Sequence, residues 1–154
     1  MKFLRSKLLT LLVLAAILIL IFSFLKEKNP KNIKKARIGN KEFRLEIADT
    51  DALRSHGLSD RVSLPKYSGM LFVFDHRERY SFWMKDMNFP LDFLWVEGTK
   101  IADISENIAN PTKNDPNNLP LITPNTNVDK VIEINAGVIK ELNIKAGDIV
   151  EFNN

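Results

Sequence analysis

Alternating apolar and polar residues predict a β-rich body in the second part of the chain. Over residues 41–48 apolar side chains alternate with charged ones, and the two-residue turn signal Gly39-Asn40 separates this stretch from residues 36–38. The pattern predicts an antiparallel hairpin. The continuous apolar run at residues 69–74 predicts a strand buried on both faces.

Further short strands and two helices complete the prediction. Apolar stretches bounded by turn residues predict strands at residues 80–85, 91–96, 100–104, 129–134 and 149–152. Thr50 opens a short helix that ends at Gly57, and Asn135 caps a second near residues 136–142. We therefore predict a mainly β fold, a β-sandwich or barrel-like domain with two short peripheral helices.

An apolar leader precedes this body and predicts one N-terminal transmembrane helix. Residues 8–25, from Leu8 to Leu25, carry no charge and would span about 27 Å as a helix. The N-terminus before them is basic. Bulky residues at the exit, Phe22 to Leu25, favour an uncleaved signal anchor over a cleaved signal peptide. The membrane is accordingly the first partner we expect.

The N-terminal leader and the β-rich body carry net charges of opposite sign. Residues 1–37 carry nine Lys or Arg and one Glu, a net charge of +8, whereas residues 38–154 carry 13 Lys or Arg and 18 Asp or Glu, a net charge of −5. An acidic body without a basic stripe argues against nucleic-acid binding. We divide the chain into a basic N-terminus (1–7), the anchor (8–25), a basic linker (26–37) and the β-rich domain (38–154).

Orientation across the membrane follows from two opposing signals. More positive charges follow the span than precede it, which would keep the body in the cytoplasm. The very short basic N-terminus is typical of a signal anchor with its body outside. We favour the second interpretation and expect a single-pass cell membrane protein with an extracytoplasmic body.

Composition excludes several kinds of chemistry. The chain has no cysteine, and its two histidines, His56 and His76, do not lie at metal-ligand spacing on one element. There is no phosphate-cradling glycine loop and no Gly-x-Ser-x-Gly nucleophile elbow. We expect no metal and no cofactor.

Several motifs resemble the domain of unknown function 192 family. They are Gly-Leu at 57–58 with Arg61, Leu-Pro at 64–65, GMLFVF at 69–74, FWMK at 82–85, PLD at 90–92 and VIEINAG at 131–137. The resemblance covers nearly all of residues 38–154 and implies a mainly β sandwich, often behind a signal or membrane segment. It implies no established activity. Ser59 and the pair Asp86-Met87 depart from the family pattern.

Four polar residues at these motif positions are the candidates for a site. Asp92 and Glu133 each lie inside an apolar strand, where an unpaired carboxylate is costly. One interpretation is a buried ion network with Arg61 and Lys85. The other is a pocket in which these two cations hold an anionic group while a carboxylate acts as acid or base.

Trp83 is the candidate residue for the surface part of such a pocket. By alternation it shares one face of its segment with Lys85, while Phe82 and Met84 share the other. Eight of the 14 aromatic residues fall within residues 70–96, which predicts a core and leaves room for a sugar or peptide groove. The predicted ligand-binding set is therefore Arg61, Trp83, Lys85 and Asp92.

Three hypotheses of function remain open. The first is a non-catalytic, membrane-tethered envelope domain that binds an unknown small ligand or an envelope partner. The second is an envelope hydrolase that acts on carbohydrate or peptide with Asp92 and Glu133, which requires both carboxyl groups in one pocket about 5–10 Å apart. The third is a structural or assembly factor, which predicts a smooth surface near Trp83.

Overall fold

Seven strands and two short helices are present in the part of the chain that the computed structural model describes, residues 32–111 and 119–153. The β content agrees with the predicted fold class. In chain order the elements are β1 (Ile33–Ile38), β2 (Lys41–Ala48), α1 (Asp51–His56), β3 (Ser68–Glu78), β4 (Leu91–Glu97), β5 (Lys100–Ile108), β6 (Val128–Asn135), α2 (Val138–Leu142) and β7 (Val150–Asn153).

All seven strands belong to one sheet, in the order β5-β4-β6-β3-β2-β1-β7. The β2–β3 pair is parallel and the other pairs are antiparallel. The edges β5 and β7 meet through a bridge between Lys100 and Ile149, with the Val150 N–H donating to the Thr99 carbonyl at 2.8 Å. The sheet is thus a curled half-barrel. The barrel-like prediction is confirmed, and a sandwich of two stacked sheets is not formed.

Local sequence signals account for the first hairpin and for α1. Ile38 pairs with Lys41 across the Gly39-Asn40 turn, as predicted. The Thr50 hydroxyl accepts a hydrogen bond from the Leu53 N–H at 3.3 Å, which caps the helix, and Gly57 ends it with a positive φ of 56°. The predicted helix start and stop are both confirmed.

Two local predictions are wrong. Residues 80–85 form no strand, and Phe82 alone pairs there, through an isolated bridge to Ile122. Asn135 does not cap α2. It ends β6, and its side-chain amide donates to the carbonyl of Pro65 at 3.1 Å, while Gly137 occupies the cap position. In both cases the residue contacted is distant in sequence: Ile122 for Phe82 and Pro65 for Asn135.

The two faces of the sheet carry two apolar clusters. Leu94, Val96 and Ile132 pack with α2 on one face, whereas Phe72, Phe93 and Trp95 pack on the other. Strands β3 and β6 approach closely at Gly69, where an added Cβ would lie 2.3 Å from the Glu133 carbonyl oxygen. A side chain at position 69 would therefore displace β6, the strand that carries Glu133.

The predicted transmembrane segment, residues 8–25, lies outside the described residues, as do residues 26–31 of the predicted linker. Among the residues that are described, no helix combines the length and apolarity needed to cross a bilayer.

Candidate functional site

A cleft of about 330 Å³ opens on the sheet face that carries the aromatic cluster. Helix α1 and residues 80–87 border it. The ring of Phe74 stacks on that of Tyr80 with centroids 3.6 Å apart, and Phe72 meets Phe82 edge to face at 4.9 Å. Together with Trp83 these four rings line the space, which we call the aromatic cleft.

Glu133 lies among the residues that line the aromatic cleft and supplies its buried carboxyl group. On β6 it is flanked by Met70 of β3 and Phe93 of β4, and only 5% of its surface is exposed. Within the described residues its carboxyl makes no hydrogen bond. Burial raises the pKa of Glu133 to about 8, against the opposing effect of Arg61. At neutral pH this group is mostly a protonated acid that is able to donate or accept a hydrogen bond.

The guanidinium of Arg61 pairs with a different carboxylate, that of Glu46. Its guanidinium donates two hydrogen bonds to Glu46 of β2, at 2.7 and 2.6 Å, in the bidentate arrangement typical of Arg–carboxylate pairs. The hydrogen bonds to Glu46 raise the pKa of Arg61 despite its partial burial, and Glu133 adds a smaller charge effect. Arg61 therefore lies near Glu133 without a hydrogen bond to it.

Trp83 and Lys85 line the outer part of the cleft. Trp83 is 52% exposed, and the Lys85 ammonium lies 5.8 Å from the centre of its ring. The Ser59 hydroxyl donates to the Lys85 carbonyl at 3.0 Å, which fastens this segment to the turn after α1. The predicted alternation is confirmed, because Met84 is buried between these two exposed side chains.

Asp92 points away from the aromatic cleft. Phe93 is the cross-strand partner of Glu133, so the preceding residue faces the opposite side of the sheet. The Asp92 carboxylate is fully buried there and accepts hydrogen bonds from the N–H groups of Asn107 (2.8 Å) and Ile139 (2.9 Å). Because Ile139 lies in the first turn of α2, Asp92 caps that helix from a distant strand.

The structure therefore brings Glu133, Trp83 and Lys85 to one cleft, places Arg61 beside Glu133, and puts Asp92 on the other face. The four charged candidates do not form one buried ion network. Arg61 pairs with Glu46, and the exposed Lys85 makes no ion pair within the described residues. The sequence gives no sign of Glu46 as the partner, since Arg61 lies 15 residues further along the chain, beyond α1.

Helix α1 supplies the part of the site that sequence reasoning missed. The Arg54 guanidinium donates to the Val73 carbonyl (2.8 Å) and to Asp51 (2.6 Å), and it lies 5.3 Å from the Phe74 ring centre. These contacts fix α1 against β3 and close one side of the cleft. The concentration of aromatics at residues 70–96 is the one signal in the sequence, and it favours a core over a groove.

The fold and site define a class of protein: a mainly β half-barrel with an aromatic-lined cleft around a buried acid. The family model of domain of unknown function 192, the Uncharacterized ACR family, matches residues 33–152. The chain belongs to this uncharacterised family, which confirms the resemblance found in its motifs.

Two solved structures are similar to this chain. One is a candidate transcription regulator from Sinorhizobium meliloti, with a TM-score of 0.71 and 28% identity over 79% of this chain and 95% of that one. The other is a protein of unknown function from Novosphingobium aromaticivorans, with a TM-score of 0.69 and 30% identity over 77% of this chain and 84% of that one. No curated protein gives a significant match.

Proposed function

We propose that this protein is a membrane-tethered domain that binds a small organic ligand in the aromatic cleft and does not catalyse its conversion. The observation that supports this most is the carboxyl of Glu133, a residue only 5% exposed, which makes no hydrogen bond within the described residues and opens onto the cleft, since no fully enclosed side-chain oxygen there lacks a partner. A buried polar group is costly until a water or a ligand satisfies it. Ligand sites typically combine apolar walls with a few convergent polar groups, and this cleft has that composition.

The alternatives receive less support from the geometry. Paired-carboxylate hydrolysis needs two carboxyl groups in one pocket, and Asp92 lies across the sheet from Glu133. Asp51 also borders the cleft, but its carboxylate is paired with Arg54. An assembly factor would present a smooth surface near Trp83, where a cleft is found instead.

The tether is part of the proposal and rests on the sequence alone. Residues 8–25 form the anchor, and the acidic body faces outward. We expect a reporter enzyme that is active only outside the cytoplasm to give signal when fused after Asn154. A signal from a cytoplasm-specific reporter at the same position would reverse the proposed orientation.

Ligand binding is tested most simply through tryptophan fluorescence of the full-length chain. The chain has two tryptophans, of which Trp95 is fully buried and Trp83 borders the cleft. We expect at least one member of a panel of small aromatic amines, alcohols, amides and acids to change the Trp83 emission saturably. Glu133→Gln should weaken binding of the tightest member of the panel by about tenfold, the scale of losing one buried hydrogen-bond partner.

The matched control is Glu42→Gln, which changes an exposed glutamate on β2 that is paired with Lys35. It should leave the titration unchanged, and Trp83→Phe should remove the signal. If the whole panel leaves Trp83 unaffected, or if Glu133→Gln binds every responding member of the panel as tightly as the unmodified chain, the cleft is not the proposed ligand site.

A further inference from the structure

When it is ionised, the carboxylate of Glu133 has no cation hydrogen-bonded to it within the described residues. Arg61 is neutralised by its two hydrogen bonds to Glu46. When Glu133 is ionised, these three side chains carry a net charge of −1, with the unpaired charge on the carboxyl that lines the cleft. Arg54, the cation of α1, is likewise paired with Asp51. A ligand cation that reached Glu133 would pair with this carboxylate, whereas the protein's own unpaired cation, Lys85, lies over Trp83 in the outer part of the cleft.

The walls of the cleft favour the same kind of ligand group. Aromatic rings attract cations through the negative potential of their faces. Two protein cations already use rings of this cleft in that way, since Arg54 lies over Phe74 and Lys85 over Trp83. Phe93 is the cross-strand neighbour of Glu133, and the rings of Phe72 and Phe82 line the same cleft. An organic ammonium group would meet a carboxylate and aromatic surface together.

We infer that the ligand of the aromatic cleft is a small organic amine, whose ammonium group pairs with the Glu133 carboxylate while its apolar body packs on the aromatic walls. This inference rests on the proposed function and gives the chemical class of its ligand. A volume of about 330 Å³ suits a molecule the size of a single ring with a short chain.

Binding of an amine should displace the proton of Glu133, so the affinity should depend on pH. Because burial raises the pKa of Glu133 to about 8, the empty cleft holds mostly the protonated acid at neutral pH. An ammonium ligand selects the ionised form, and the displaced proton goes to solvent. A primary alkyl amine keeps its own charge up to about pH 10. The ionisable groups that face this region are Arg61, Asp51, Arg54, His56, Tyr80 and Lys85.

The test compares three probes of similar shape on the full-length chain in detergent micelles: 2-phenylethylamine, 2-phenylethanol and 3-phenylpropanoate. We expect the amine to bind about 10- to 100-fold more tightly than the alcohol at pH 8, because only the amine brings a positive charge to the ionised carboxylate. Between pH 6 and pH 8 its affinity should rise by about 50-fold, following the ionised fraction of Glu133.

Two variants separate the possible ligand classes. Glu133→Gln should remove the preference for the amine and leave the alcohol within about threefold of its original affinity. Lys85→Gln should not weaken the amine, whereas it would weaken an anionic ligand held by the unpaired ammonium. Trp83 emission reports all the titrations.

Three results would contradict an amine ligand, and each shows which part of the inference is wrong. If the alcohol or the acid binds more tightly than the amine and depends on Glu133, the cleft is a ligand site and the amine class is wrong. If none of the three probes binds, the amine class is also wrong, and the broader panel then decides the proposed function. An amine affinity that does not change between pH 6 and pH 8 contradicts pairing with the Glu133 carboxylate.

Discussion

Replacing Asp92 by alanine is expected to lower the free energy of unfolding by about 3–5 kcal/mol. The carboxylate is fully buried and satisfies two backbone N–H groups, those of Asn107 and Ile139. Without it the N–H of Ile139 is left unpaired away from water, and the part-buried N–H of Asn107 loses its acceptor. The first turn of α2 loses its only side-chain cap, because Gly137 at the cap position offers no side chain.

Chemical denaturation of the full-length chain measures this effect, and Asp75→Ala is its matched control. Asp75 is exposed on β3, so its removal should change stability by less than about 0.5 kcal/mol. Asp92→Asn should fall between the two, because the amide keeps one acceptor oxygen. An Asp92→Ala variant as stable as the control would show that Asp92 does not hold α2, and it would reopen a functional role for this carboxylate.

Stability should fall as the pH rises from about 5 to above 8, by roughly 3–5 kcal/mol more in the unmodified chain than in Glu133→Gln. The cause is the raised pKa of Glu133, about 8 in the folded protein against an ordinary value of 4.5. Between these values the folded state binds the additional proton. Raising the pH therefore favours the unfolded state, which releases that proton more readily.

The difference between the two pH profiles isolates Glu133 from every other titrating group. Glu133→Gln keeps the shape of the side chain and removes the titration, so its profile should lack this loss. Glu42→Gln is the control: the hydrogen bond from Lys35 lowers the pKa of Glu42, and its removal leaves the decline above pH 5 in place. Parallel profiles for the unmodified chain and Glu133→Gln would contradict the raised pKa.

Much of the fold was predictable because its signals are local. The Gly39-Asn40 turn and the alternation after it define the first hairpin, and Thr50 and Gly57 define α1. The segment at residues 80–85 shows where local signals fail. Its alternation correctly predicted which side chains are buried, but Phe82 pairs with Ile122, about 40 residues later in the chain. No regular strand forms, because one bridge does not make a ladder.

The candidate site was predictable in part for the same reason. A carboxylate inside an apolar strand marks both Asp92 and Glu133, yet the pattern does not say which face holds a partner. For Asp92 the partners are backbone N–H groups of β5 and of α2, and for Glu133 no hydrogen-bond partner exists in the described residues. The cleft itself depends on packing of α1 against β3 through Arg54, a contact that no sequence pattern encodes.

The most direct measurement is a ¹³C NMR titration of the side-chain carboxyl of Glu133 in the full-length chain, with its resonance assigned by comparison with Glu133→Gln. Burial of this carboxyl in the aromatic cleft, without a hydrogen-bond partner, predicts a titration midpoint near pH 8. A midpoint near the ordinary value of 4.5 would show a solvated or paired carboxylate and would contradict the central claim.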